Sequence, residues 1–231
     1  MSELRIFKFF APARAVPKTS WAAPSVWSLN TKRLLILFSG LALMGTGGAI
    51  TVQSELGNPP WTVLAQGLAR QLDIPLGWAF FIVSCLVLLI WFPLKVTPGF
   101  GTISNAVVFA ATLQLGVNVI PTQESFLVSI LMVVLGIGFV GFGTALYISC
   151  GLGPGPRDGW MIGLVKRTGI RIWKIRFGME AFALSIGFLL GGTVGIGTVL
   201  VMLLIGQTIA ISFTLLSKIP SEKTQEIVPE V

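Results

Sequence analysis

A chain of 231 residues with 54% hydrophobic and only 11% charged residues and a mean hydropathy of +0.87 has too little polar surface to dissolve as a globule and belongs in a bilayer. Its net charge of +7 calls for no nucleic acid, because Lys and Arg in a membrane protein follow topology and face anionic headgroups. Without a single histidine the chain lacks imidazole acid–base chemistry, a Ser-His-Asp triad and the commonest metal ligand.

The elements fall in a regular order. Residues 1–33 form a basic segment in which Phe7, Phe9, Phe10, Trp21 and Trp27 are interspersed with Arg5, Lys8, Arg14 and Lys18. The charges interrupt every apolar stretch before Leu34, so no signal-peptide core forms. The segment suits either the cytoplasmic interface or a disordered tail. Apolar stretches long enough for helical spans follow at about 34–53, 75–94, 99–120, 126–149, 172–191 and 196–217. No period-2 alternation marks a barrel, which leaves helices as the way to satisfy buried backbone. Residues 218–231 are polar and read as a cytoplasmic tail.

Shifting the chain along itself by 96 residues aligns it without a gap. Over positions 40 to 120 the shift gives 20 identities in 81 pairs, and several are Gly or Pro, which mark backbone geometry rather than apolarity alone. The expected fold is therefore an all-α polytopic membrane protein of six transmembrane helices arranged as two three-helix repeats, 34–120 and 126–217. Three spans per unit is odd, so the second copy enters the membrane from the opposite side. With the N-terminus inside, 15 of the 16 basic residues fall on cytoplasmic segments, as the positive-inside rule requires. Only Arg70 falls outside, paired in sequence with Asp73.

Between the first and second spans each copy carries a Gly-Pro break and a short helix: Leu56-Gly57-Asn58-Pro59-Pro60-Trp61-Thr62 in the first, Leu152-Gly153-Pro154-Gly155-Pro156-Arg157-Asp158 in the second. Pro60 and Pro156 fit a first helical position, where a missing N–H costs nothing. Such a helix either re-enters the membrane with its N–H groups aimed at a polar cavity or lies flat on the interface. Gly99-Phe100-Gly101-Thr102 and Gly195-Ile196-Gly197-Thr198 resemble phosphate loops only superficially and read as tight hairpins with Thr capping the next helix. The glycine pairs Gly45/Gly47 and Gly141/Gly143 predict close packing of the first and fourth spans.

Candidate chemistry is sparse. Cys85 and Cys150 lie in or beside apolar stretches, lack zinc spacing and read as small hydrophobes. No metal site, cofactor site or catalytic pair is visible, so the chain does not read as an enzyme. Ionisable and amide groups near membrane depth are costly and mark function or tight pairing. Glu180 has Arg176 one turn before it, so an i to i+4 ion pair would neutralise it. Arg157, Asp158, Gly155, Pro156, Asn105, Gln207 and Gln53 are the candidate ligand-binding residues, along a path between the repeats for a small solute, an anionic one included. The competing expectation is a membrane scaffold that contacts itself or a protein partner through the basic loop at 157 to 176.

The run Gly-Leu-Gly-Pro-Gly-Pro-Arg-Asp-Gly-Trp at 151 to 160, followed by Gly163-Leu164 and Thr168-Gly169, resembles the signature of the YczE/YyaS/YitT group of bacterial integral membrane proteins. The first copy departs from it, with Asn58, Trp61 and Thr62 where the second has Pro154, Arg157 and Asp158, so the motif's polar duties fall to one copy. The resemblance implies a multi-pass protein of the bacterial plasma membrane and brings little chemistry with it.

Overall fold

A computed structural model describes residue 17 and residues 19–219. The phenylalanines at 7, 9 and 10 and the polar tail from 220 onward lie outside the described residues, where the structure is all-helical. Helix α1 spans Thr31–Gln53 and starts at Asn30, whose side chain accepts from the Lys32 N–H at 2.9 Å. The first short helix, α2 (Pro60–Leu72), begins on Pro60 and ends at Asp73 in the left-handed conformation. Helix α3 is Leu76–Leu94. The next span is continuous from Phe100 to Val119 but changes pitch within it: α4 (Phe100–Ser104), a π-helical turn (Asn105–Phe109) and α5 (Ala110–Val119). Helix α6 is Phe126–Ser149, the second short helix α7 is Pro156–Thr168, α8 is Ile172–Leu189 and α9 is Ile196–Leu216.

Among the described residues, five helices are long and apolar enough to cross a membrane: α1, α3, the Phe100–Val119 helix, α6 and α9. The stretch expected as a sixth span is helical, but at 18 residues it carries Lys174, Arg176 and Glu180 and falls short on composition. The protein is apolar outside as well as in its core. Phe92 and Leu189 are each 82% exposed, which is affordable only where lipid replaces water.

Apart from the π-helical turn, which the continuous α9 lacks, the helix boundaries of the first half reappear near 96 residues later, from Gln53 and Ser149 through Pro60 and Pro156 to Phe100 and Ile196. The packing repeats as well. α1 and α6 form the central pair, running antiparallel with glycines set backbone to backbone. A Cβ on Gly40 would lie 2.9 Å from the Gly143 carbonyl oxygen, and one on Gly47 would lie 2.7 Å from that of Gly136. α5 flanks α1 and α9 flanks α6, with Thr112 against Gly45 and Thr208 against Gly141. Gly101 N–H donates to the Leu152 carbonyl at 2.7 Å, and Gly197 N–H donates to that of Leu56 at 2.7 Å. Thr102 and Thr198 accept from the Gly99 and Gly195 N–H groups, closing the two hairpins as caps.

The short helices cross between halves: α2 packs on α8, and α7 packs on α3. Their C-terminal ends tie off the partner helix, Gln71 donating to the Leu190 carbonyl at 3.1 Å and Arg167 to that of Pro93 at 3.1 Å. Arg70 donates to the Gly191 carbonyl and to Thr193, while Asp73, its neighbour in sequence, takes the left-handed conformation that ends the helix. Where it is described, the segment before α1 is held against the helices as a strap. Trp21 is buried and donates to Ser149 Oγ at 3.0 Å, Ala23 N–H donates to the Cys150 carbonyl at 2.8 Å, and Phe100 N–H donates to Val26.

Candidate functional site

Both short helices enter the protein N-terminus first. The opening turn of α2, from Pro60 to Val63, is buried and its last turn is exposed, and α7 likewise runs from buried Pro156 to exposed Lys166 and Arg167. Neither first turn is capped by a side chain, so uncapped N–H groups and the positive end of each helix dipole lie inside the fold. The two ends meet at one cavity of about 150 Å³, room for roughly five water molecules.

The lining of that cavity is drawn in matched pairs from the two halves. Pro60 faces it with Pro156, Thr51 with Tyr147, Trp61 with Arg157, Thr62 with Asp158, Phe80 with Arg176, Ser84 with Glu180 and Asn105 with Val201, each pair 96 residues apart. Every charge in the lining belongs to the second half. The first half answers with an indole, a phenyl ring and hydroxyls, so the cavity's charged pole is built by one half alone, with the Trp61 indole beside it in a small adjoining recess that Arg157, Asp158, Arg176 and Glu180 also line.

At the charged pole the Tyr147 hydroxyl donates to Asp158 Oδ2 at 2.9 Å, and Arg157 Nε lies 3.9 Å from Asp158 Oδ1. Burial pulls the Arg157 guanidinium down, but Asp158 first, then Glu180 and Tyr147, outweigh it and hold the group above its usual value. It is a permanent cation at the wall. The expected Arg176–Glu180 pair does not form: Arg157–Asp158 is the ion pair among the described residues. Arg176 is exposed at the rim while Glu180 turns toward the cavity, which leaves the carboxylate without an ion pair or hydrogen bond.

Of the candidate residues, the structure brings Gly155, Pro156, Arg157, Asp158 and Asn105 together. Gly155 is tight against the site, since a Cβ there would stand 3.1 Å from the Tyr147 hydroxyl and 3.4 Å from the Asn105 side chain. Asn105 opens the π-helical turn, a local change of pitch common where a side chain must be re-aimed. It is 6% exposed and has no hydrogen-bond partner. Gln53 and Gln207 do not line the cavity. Gln53 donates to the Val117 carbonyl at 3.1 Å and to that of Ile120, closing the end of α5, and Gln207 is on the exposed face of α9. A glutamine near membrane depth satisfies backbone as readily as it binds solute, and spacing alone does not separate the two.

Tyr147, the single tyrosine of the chain, is fully enclosed and was missed from sequence, as was Trp91. The Trp91 indole donates to the Pro156 carbonyl at 2.9 Å and lies over Gly159, where a Cβ would come within 2.0 Å of its ring. It fixes the first turn of α7 against α3. The 96-residue register was the available signal for Tyr147, since it stands where the first copy has Thr51.

Residues 31–214 match a family of unknown function, DUF6198. A Haemophilus influenzae protein described as uncharacterised is 41% identical over 207 residues, covering 90% of this chain and 95% of its own. The uncharacterised membrane protein YczE of Bacillus subtilis is 29% identical over 78% of this chain and 85% of its own, and YyaS of the same organism is 26% identical over 73% and 86%. No solved structure matches. These similarities agree with the resemblance carried by the 151 to 160 motif, and with the spans they make the protein an integral membrane protein.

Proposed function

Because the chain belongs to the DUF6198 family, among proteins of the YczE and YyaS type, and membership assigns no chemistry, we propose from the cavity that it passes a small solute through the membrane along the junction of two inverted halves. The observation that carries this is the meeting of two uncapped short-helix N-termini at a cavity lined in matched pairs. Broken helices whose dipoles converge between repeats recur where a solute must be held at mid-depth. In this reading α8 completes six crossings, its Lys174 and Arg176 near the cytoplasmic surface of a bacterial plasma membrane and Glu180 held within protein, with both termini inside. The protein moves its solute without chemical conversion.

The test is flux in proteoliposomes loaded with labelled amino acids, monocarboxylates, amines or sugars. Wild-type protein is expected to exchange one class above protein-free vesicles, Arg157→Ala to lose most of that flux, and Gln207→Ala to keep it. No flux for any class sinks the proposal in favour of the scaffold reading. That reading draws on the exposed basic residues Lys166, Arg167, Arg171 and Lys174 around the α7–α8 turn.

A further inference from the structure

The cavity's unsatisfied groups describe what fits it. Arg157 has one weak contact, through Nε, with Asp158, and its two terminal nitrogens carry no hydrogen bond. Glu180 faces the same space with neither hydrogen bond nor ion pair. Asn105, 6% exposed, and Thr62, 3% exposed, line the cavity with side chains that have no partner. Groups that open onto a cavity without a partner in the protein are free to bond whatever enters it. The free set therefore holds both a cationic donor and an anionic acceptor.

Charge balance narrows the choice further. The charged lining residues are Arg157, Asp158 and Glu180, with Arg176 exposed at the rim, and the four together sum to zero. A monovalent ligand would leave a net charge in a low-dielectric site, which is expensive, whereas a ligand with one charge of each sign leaves none. The remainder of the lining is largely hydrocarbon, including Phe80, Val83 and Val87, with Trp61 next to the charged groups, and the volume of about 150 Å³ suits a molecule of benzene-like bulk.

Resting on the transport reading for its site, we propose that the ligand is a small zwitterion with a short apolar tail, its carboxylate held by Arg157 and the uncapped first turns of the short helices and its ammonium by Glu180. Asn105 and Thr62 complete the hydrogen bonding of the head group, and the tail lies on Trp61 and Phe80. An amino acid the size of valine meets each requirement.

The experiment is binding, measured by titration calorimetry and by thermal stabilisation of the full chain in detergent, with L-valine, butyrate and butylamine as probes. Valine is expected to bind saturably and at least about tenfold tighter than either singly charged analogue, since each analogue leaves one wall charge unpaired. Glu180→Gln is expected to erase the advantage over butyrate, and Arg157→Lys to weaken valine while keeping the charge, in protein that still elutes as a single folded species. Butyrate binding as tightly as valine, or no binding by valine, overturns the zwitterion. Valine binding without valine flux leaves the ligand assignment standing and removes the transport reading instead. Because the probes differ on the ligand side, the comparison holds in the wild-type protein even if a variant fails to fold.

Discussion

At the residue scale, the Tyr147 to Asp158 hydrogen bond sets the charged pole, because it holds one carboxylate and leaves the other free. Tyr147→Phe removes a bond to a charged, half-buried acceptor and is expected to cost about 1 to 2 kcal/mol, read as a Tm lowered by roughly 3 to 6 °C, with weaker solute binding besides. An unchanged Tm would show that the hydroxyl contributes nothing. The two cysteines give a sharper contrast. Burial pushes the Cys150 thiol up to about 12, with Arg33 pulling weakly the other way, while Cys85 is only half-buried. The thiolate is the reactive form, so at pH 8 Cys150 is expected to resist alkylation in folded protein and to react only after denaturation. Fast labelling of native Cys85→Ser protein contradicts this. Residue type was legible in the sequence here and orientation was not. Glu180 and Arg176 have the right spacing for an ion pair, but the rim position of Arg176 separates them.

At the element scale the α1–α6 seam depends on backbone contact. Gly47→Ala drives a methyl group to 2.7 Å from the Gly136 carbonyl and is expected to destabilise by about 1 to 3 kcal/mol through overpacking. Gly138→Ala, on the same α6 but with nothing within 4 Å, is expected to leave Tm unchanged or slightly raised, as helix propensity favours Ala. Equal effects from the two would mean that the glycines serve the helices individually and not the seam. The seam, the helix starts on Pro60 and Pro156 and the hairpin caps on Thr102 and Thr198 were all legible, because glycine, proline and capping residues report local backbone geometry. The crossing of each short helix onto the other half was not. It depends on which helix offers a groove at the right height, as Trp91 and Gly159 do together, and no periodicity encodes that. The π-helical turn at Asn105 left no mark in the pattern of apolar residues either.

At the scale of the whole molecule, the proposed inverted halves make a topological prediction. Leu72 and Ile170 are exposed at the ends of the two short helices. In a background without native cysteines, Leu72→Cys is expected to react with an impermeant maleimide from one side of the membrane only and Ile170→Cys from the other. Labelling of both from the same side would exclude an inverted arrangement and take the shared solute path with it.

The uneven sharing of charge between otherwise matched walls has a kinetic corollary. Matched positions of the cavity wall differ in charge, with Arg157 and Glu180 where the first half has Trp61 and Ser84. A guest with distinct head and tail then has a single preferred posture inside. Arriving from one compartment it docks as it comes, and from the other it must tumble within a chamber scarcely larger than itself. In the proposed transport reading, affinity in such a chamber is the same at equilibrium from either side while entry and exit at the two mouths differ together in rate. Four side chains would then set how fast each side exchanges, and the gradient alone the direction of net flow.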